Sequence, residues 1–455
     1  MTSAKATAAP RNRQSTVVVA SLVGTSIEFY DFYIYGTAAV LVFPGLFFPN
    51  DDPVTAQLAS LLTFALAFLA RPVGSVLFGH FGDRIGRKKT LVVSLIIMGA
   101  ATLLIGCLPT YSQIGLWAPV LLATLRLIQG IGLGGEWSGA ALLAIENAPA
   151  KRRGLFGSFP QLGAPIGFIL ANGVFLLLTL AMPPEAGETA SSAFQSYGWR
   201  IPFLLSGVLV IVGLYVRLAL VETPVFANLS SERGVARIPI GVVFRRHWRS
   251  VVLGTFACVA TYVLFYLLTT FALGYGTSPR NPIDGLKVGL GYDRSSFLIL
   301  LLVGTVFFGL ATPVAGRLAD RFGRRKLLLV TTALIFGFGF SFEAWLGHQG
   351  SIASTQTFLI AGLLLMGLSY GPMGSFLPEL FPTEVRYTGS AIVYNLGSVL
   401  GASFAPAIAL GLWKVDGDIT AVGLYLSLAA AMTAIALALL PETRLLSLDS
   451  HNHAG

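Results

Sequence analysis

The sequence predicts an all-α membrane protein: twelve transmembrane helices in two six-helix halves. Three observations predict it. Hydrophobic residues make up 55% of the 455 and charged residues 11%, against about 25% charged in a soluble domain, and the mean hydropathy is +0.75. Twelve predominantly apolar stretches recur, each near the ~20 residues that cross a bilayer core. A charged motif occurs twice, once in each half. A soluble globule is excluded because the chain cannot supply its polar surface. The formal charge of +9 invites a nucleic-acid reading, which fails where the basic residues sit in short loops between apolar stretches.

The first stretch, 16–43, is too long for a signal peptide, holds Glu28 and Asp31 inside, and lacks a small-residue cleavage site. The second, 56–80, contains Arg71-Pro72-Val-Gly74. The third, 89–109, includes Cys107. The fourth, 115–146, carries Arg126, Gln129 and Glu136, and the fifth, 155–182, is interrupted by Pro160-Gln161-Leu-Gly163-Ala-Pro165-Ile-Gly167. The sixth, 199–220, closes residues 16–220 as one half, behind an N-terminal tail of residues 1–15. A basic linker, 221–247, separates it from a second half, 248–440.

That half begins with 248–275, bearing Cys258, Tyr262, Tyr266, Thr269 and Thr270. It continues through 294–316, 326–346 (Glu343 near its end, beside His348), 356–381 with Tyr370-Gly371-Pro372, 388–412 with Tyr394-Asn395, and 419–440. Residues 441–455 form a tail. Backbone groups in lipid must bond internally, and no two-residue alternation of barrel type is present, so all twelve are helices. Proline removes a backbone donor and glycine admits close neighbours, so the Gly/Pro sites mark kinks. The two cysteines share no spacing that implies a disulfide or a metal.

With both termini inside, 23 of the 30 Lys and Arg residues fall in inner segments and 5 (Arg200, Arg280, Lys287, Arg294 and Lys414) in outer ones. Arg71 and Arg126 lie within helices. That bias places both ends in the cytoplasm.

The repeat is Gly79-His-Phe-Gly-Asp83-Arg84-Ile-Gly86-Arg87-Lys88-Lys89 against Gly316-Arg-Leu-Ala-Asp320-Arg321-Phe-Gly323-Arg324-Arg325-Lys326. Glu146-x-x-Pro149-x-x-x-Arg153 against Glu379-x-x-Pro382-x-x-x-Arg386 supports it, as does Glu222-Thr-Pro against Glu442-Thr-Arg. Two parallel halves enclose a site at their interface near the midplane, reached alternately from each side. A transporter is therefore expected rather than a receptor or anchor.

An ionisable group at membrane depth costs at least ~2.5–3.5 kcal/mol and is a functional candidate by default. At about 1.5 Å per residue, Glu28, Asp31, Arg71, Glu136 and Arg126 all lie well inside the bilayer. Arg71 and Glu136 are candidates either for substrate contact or for a structural pair, and Gln129 is a further candidate; Gln161 and Asn172 either line the cavity or bond a neighbouring helix. The second half offers neutral groups: Tyr262 and Tyr266 on one face, Tyr370 and Asn395. Guanidinium pairs bidentately with carboxylate, so the two arginines favour a carboxylate substrate.

The doubled Gly-x-x-x-Asp-Arg-x-Gly-Arg motif resembles the loop signature of the major facilitator superfamily. Within it the chain resembles the metabolite:proton symporters, which include carriers of shikimate, α-ketoglutarate, citrate and proline/betaine. The matching residues are Gly24-Thr-Ser-Ile-Glu28-Phe-Tyr-Asp31-Phe-Tyr-Ile-Tyr-Gly36, Arg71-Pro72-Val-Gly74, Arg126-Leu-Ile-Gln129-Gly130-x-Gly-x-Gly-Gly-Glu136 and Pro378-Glu379-Leu-Phe-Pro-Thr-Glu384-Val-Arg386.

The resemblance implies the major facilitator fold, a bacterial inner-membrane location, and proton coupling through Asp31 facing Arg126, with Glu28 an alternative carrier. It implies a cytoplasmic gate in which Asp83 and Asp320 pair with neighbouring helices. Arg84, Arg87, Arg321 and Arg324 reach Glu146, Glu222, Glu379 and Glu442. Such exposed pairs are worth ~0–1 kcal/mol each, so only a network biases the gate. The expected function is proton symport of a small polar metabolite, with proton-coupled export of a metabolite or drug as the alternative. The partial match of Gly163-Ala-Pro165 to the antiporter fifth-helix motif counts against export. No cofactor, metal or nucleic acid is expected, and no catalytic constellation is present. The expected partners are substrate, protons and the bilayer, and the expected state a monomer.

Overall fold

A computed structural model describes residues 14–49, 52–85, 87–183, 191–218, 239–280, 288–347, 351–416, 418–444 and 446. Among the described residues every regular element is helical, and twelve long helical units fall on the twelve apolar stretches. They are α1 (Gln14–Leu41), α2 (Pro53–Ile85), α3 (Arg87–Cys107), α4 (Trp117–Glu146), α5 (Ala150–Ala181), α6 (Ile201–Leu218), α7 (Trp248–Thr277), α8 (Arg294–Phe322), α9 (Arg324–Gly339), α10 (Ile352–Glu379), α11 (Arg386–Lys414) and α12 (Thr420–Leu439). A short helix, Pro239–Arg246, occupies the end of the linker.

Local chemistry sets the ends. The Asp293 carboxylate accepts the Ser296 amide at 2.9 Å to cap α8, and the Ser351 hydroxyl accepts the Ser354 amide at 3.1 Å to cap α10. Before α2, the Thr55 hydroxyl and the amides of Val54 and Thr55 donate to Asp52. Those bonds hold its carboxyl below the usual carboxylate range. Gly323 (φ 106°) makes the turn between α8 and α9 that an L side chain would strain.

Lipid removes the hydrophobic drive between helices, so close packing of small residues replaces it. A Cβ on Gly74 of α2 would fall 2.0 Å from the Ile131 carbonyl of α4, and one on Gly423 of α12 would fall 2.0 Å from the Gly339 carbonyl of α9. Apolar side chains such as Ile211, Leu177 and Leu439 stay about two-thirds exposed on the outer surface, where lipid covers them. The most apolar window of α7 is 83% buried and that of α6 33%. So α7 is a central helix and α6 a peripheral one.

Four units depart from a regular α-helix. α5 opens with a 3-10 turn at Ala150–Arg152 and breaks at Leu162, between Arg153–Gln161 and Gly163–Ala181. α4 breaks at Gly134-Gly135, between Trp117–Leu133 and Glu136–Glu146. Both α7 and α11 contain a wider π turn, at Leu267–Phe271 and Val399–Ser403.

Candidate functional site

The polar centre is built around α1, whose residues from Phe29 to Ala39 are all buried. Phe32 points toward α2 and packs edge-on against Phe68 with ring centroids 4.8 Å apart, and against Phe64 at 5.3 Å. Two guanidiniums share its ring. The Cζ of Arg71 lies 4.7 Å from the Phe32 centroid and that of Arg126 4.5 Å. Arg126 also lies 3.9 Å from the Tyr35 ring and 5.2 Å from Phe64; Arg71 lies 5.0 Å from Phe68. From the second half, Tyr266 adds its ring 5.6 Å from Phe68 and 5.4 Å from Phe64.

Both arginines are buried, Arg126 completely. A guanidinium stays charged, and ring faces offset part of its desolvation. They leave several donors unused: Nε and Nη2 of Arg126 and Nε of Arg71 are buried without a hydrogen-bond acceptor. The arrangement presents positive charge and N–H donors inside an aromatic cage, which suits an anion.

Asp31 is equally buried, but no ion pair joins it to Arg126. The facing pair expected from the sequence is replaced by a chain of hydrogen bonds. Arg126 Nη1 donates to Gln129 Oε1. Gln129 Nε2 donates to the Thr102 hydroxyl at 2.8 Å and to the Asp31 carbonyl at 3.3 Å. The Thr102 hydroxyl lies 3.2 Å from Asp31 Oδ2 and 2.9 Å from the Met98 carbonyl. Ser206 of α6 is also close to the carboxyl. The physical reason is spacing: Gln129 is three residues from Arg126 on one face of α4, and it takes the space between guanidinium and carboxyl. Glu28, one turn before Asp31, is 3% exposed.

The neutral candidates of the second half meet one another and the first half. Tyr370 and Tyr394 hydroxyls are 3.1 Å apart, and the Tyr262 hydroxyl donates to the Tyr394 carbonyl at 3.4 Å. Tyr394 stacks on Trp137 with centroids 3.8 Å apart and planes 6° from parallel. Gln161 accepts from Trp137 Nε1 at 2.8 Å and donates to the Tyr370 carbonyl at 3.1 Å. Asn395 spends both amide hydrogens, on the carbonyls of Gly134 and Ala391 at 2.9 Å each. In this conformation Gln161, Asn395 and Tyr262 therefore serve contacts between helices. Glu136 is buried at the start of the second segment of α4, where the helix N-terminus favours a carboxylate.

At one end of the bundle a vestibule of about 390 Å³ opens between the halves, lined by Val40, Gln57, Gly274, Thr277 and Arg294. One to two turns deeper, Tyr33, Phe64, Phe168, Asn172, Tyr266 and Thr270 line a slot of about 10 Å³, room for about one water. Asn172 accepts a hydrogen bond from Thr37 there at 2.7 Å.

The opposite side is sealed. Asp320 of α8 accepts the Gly154 and Leu155 amides at the start of α5, at 2.7 and 2.9 Å. Arg324 lies 3.1 Å from Asp320 and 3.3 Å from Glu379. Glu442 accepts the amides of Arg324 and Arg325 at 2.8 and 3.1 Å, and Thr443 donates to Glu379 at 2.6 Å. Backbones touch directly: a Cβ on Gly374 would fall 2.0 Å from the Gly157 carbonyl, and one on Gly154 2.6 Å from the Gly316 carbonyl. Arg321 lays its guanidinium 5.2 Å from the Phe322 centroid instead, and Glu146 is half-buried. The side chains of Asp83, Arg84 and Arg87, and the whole of Glu222, lie outside the described residues, as does His348.

Sequence reasoning missed Thr102 and Ser206. A threonine and a serine in apolar helices carry no pattern of their own; only their distance to Asp31 marks them.

Comparison with known proteins places these features in a family. The sequence profile of the Major Facilitator Superfamily matches residues 21–406 and 281–450. The chain is 54% identical over 436 residues to the inner membrane metabolite transport protein YhjE of Escherichia coli K12, covering 96% of each. It is 37% identical to the shikimate transporter of the same organism, covering 93% of this chain and 94% of that protein. Among solved structures, the proton:xylose symporter XylE bound to 6-bromo-6-deoxy-D-glucose superposes with a TM-score of 0.70 at 18% identity, over 94% of this chain and 96% of that one.

Proposed function

The chain belongs to the major facilitator superfamily and is a multi-pass membrane transporter of metabolites rather than an enzyme; on that premise we propose that it takes up a small carboxylate by proton symport across a bacterial inner membrane. One observation carries the substrate class: Arg71 and Arg126 flank the Phe32 ring with buried N–H groups that no acceptor meets. A carboxylate reaching Arg126 Nε and Nη2 would be held by charge-assisted bonds in a water-poor cage. The relative named for shikimate supports an anionic substrate.

Energisation is assigned to Asp31, with Glu28 as the second candidate carrier. A carboxyl there is uncharged or charged according to the side from which protons arrive, and uptake of a proton and an anion together moves no net charge into the cage. Asp320, Arg324, Glu379 and Glu442 are assigned to the inner gate, with both termini on that same, cytoplasmic face. The gate is closed while the vestibule faces out. The cycle then alternates between this arrangement and one in which the Asp320 and Gly374 seam has parted.

Thermal-shift screening of the purified protein against carboxylates, betaines, amino acids and sugars identifies the substrate, because a ligand stabilises the state it binds. In proteoliposomes with an inwardly directed proton gradient, the wild type accumulates that substrate. Asp31→Asn abolishes accumulation while leaving exchange of internal for external substrate intact. Gradient-driven accumulation by Asp31→Asn at the wild-type level refutes the assignment, and stabilisation by neutral sugars alone refutes the carboxylate.

A further inference from the structure

We infer that Gln129 and Thr102 form a directional hydrogen-bond relay through which Arg126 responds to the proton on Asp31. The inference rests on the proton-carrying role of Asp31 proposed above and adds to it two positioning residues and the route of coupling.

The direction of the relay follows from donor chemistry. A guanidinium only donates, so Arg126 Nη1 fixes Oε1 as the end of Gln129 that faces it. The Gln129 amide nitrogen must then face Thr102, and it does so at 2.8 Å. The amide orientation, usually ambiguous, is decided here by its neighbour. The Thr102 hydroxyl has one hydrogen and two acceptors in reach, the Met98 carbonyl at 2.9 Å and Asp31 Oδ2 at 3.2 Å.

When Asp31 is ionised, that hydrogen goes to the carboxylate. Every donor from Arg126 to Asp31 then points the same way, and each bond polarises the next. When Asp31 takes a proton from water, it becomes a donor and the Thr102 oxygen accepts, using its second lone pair beside the one that holds Gln129. The Thr102 hydrogen returns to Met98. No covalent bond other than the carboxyl O–H is made, and Gln129, Thr102 and Asp31 Oδ2 each keep a hydrogen-bond partner. The polarised chain is interrupted at Thr102, Gln129 Oε1 becomes a weaker acceptor, and the Arg126 guanidinium turns toward an incoming anion. Proton binding thus favours anion binding, the order symport requires.

Few other groups can supply this coupling. Tyr30, on the same helix, faces Asp31 but gives its hydroxyl hydrogen to the Pro202 carbonyl at 2.8 Å. Glu28 lies one turn away on α1. The helices packed against the carboxyl, α3 and α6, present Thr102 and Ser206, neither titratable. The cation joined to the carboxyl is Arg126 of α4, through Gln129 and Thr102.

The test needs no substrate. Infrared difference spectra of the protein in lipid, titrated with acid, report a protonated-carboxyl C=O band, assigned to Asp31 by its loss in Asp31→Asn. Thr102→Val removes a donor to the carboxylate and moves the pH of half-appearance up by about one unit, whereas Thr102→Ser keeps the wild-type midpoint. Arg126→Gln moves the midpoint in the wild-type background and has no effect in a Gln129→Leu background. If Arg126→Gln acts equally in both backgrounds, its charge is felt through space and the relay is wrong; a Thr102→Val midpoint equal to wild type overturns it as well. If Asp31→Asn removes no band, the premise that Asp31 carries the proton falls instead, and the two failures are told apart by that one spectrum.

Discussion

Phe32 supports two cations with one ring, and that single side chain decides how the centre is held together. Each cation–π contact is worth about 2 kcal/mol when desolvated, and Phe32 is the ring that both arginines share, beside Tyr35 and Phe64 at Arg126 and Phe68 at Arg71. Phe32→Leu keeps the apolar bulk but loses the ring face. We expect it to destabilise the protein by roughly 2 kcal/mol or more, read as a lower thermal midpoint in detergent. Phe338→Leu removes a ring that stacks only on aromatic neighbours and serves as the control. An equal fall in both variants would assign Phe32 to packing alone. At this scale the sequence was informative about charge and silent about geometry. Asp31, Arg71 and Arg126 stand out because an ion in an apolar helix is costly wherever it points. Gln129, three residues from Arg126 on one face of α4, fills the gap before Asp31 because of how α1 packs beside α4, and that packing is not encoded by spacing within α4. Gln129 was legible as a polar residue of the site but not as the link between two charges.

The helices were legible nearly to their ends, because the bilayer demands length and apolarity of each one. Their breaks were legible only in part. Proline announces itself, and Pro72, Pro160 and Pro372 all lie within helices as expected. The π turns of α7 and α11 contain no proline, and nothing in Leu267-Leu-Thr-Thr-Phe271 advertises an extra residue. They sit beside Tyr266 and Tyr262, and such bulges cluster at functional positions. The seam between α5 and α10 depends on Gly157 and Gly374, where a side chain has no room. Gly374→Leu should hold the inner face apart. With Cys107 and Cys258 replaced by alanine, Ser158→Cys, buried at that seam, should then react with an impermeant maleimide from the cytoplasmic side at least tenfold faster than without Gly374→Leu. Unchanged labelling would show that the seam is not the barrier.

For the molecule as a whole, the asymmetry of Lys and Arg predicts the orientation, and the seal and the vestibule lie on opposite faces. If the basic face is cytoplasmic, a fluorescent protein fused after Gly455 should mature, and alkaline phosphatase fused there should stay inactive. The reverse pattern would invert the gate assignments while leaving the fold untouched. The two-half architecture was legible from its repeated motif, but only the copy in the second half has its side chains among the described residues. That copy shows Asp320 gripping two main-chain amides of α5 as well as Arg324. The consequence concerns adaptability. The latch is made largely from peptide groups and glycine contacts, whereas the chamber wall is made from replaceable rings and side chains. On the proposed function, cargo preference should be open to rewriting at Tyr266, Phe64 or Asn172 without rebuilding the closed seam, which would make this scaffold a practical starting point for carriers of new compounds.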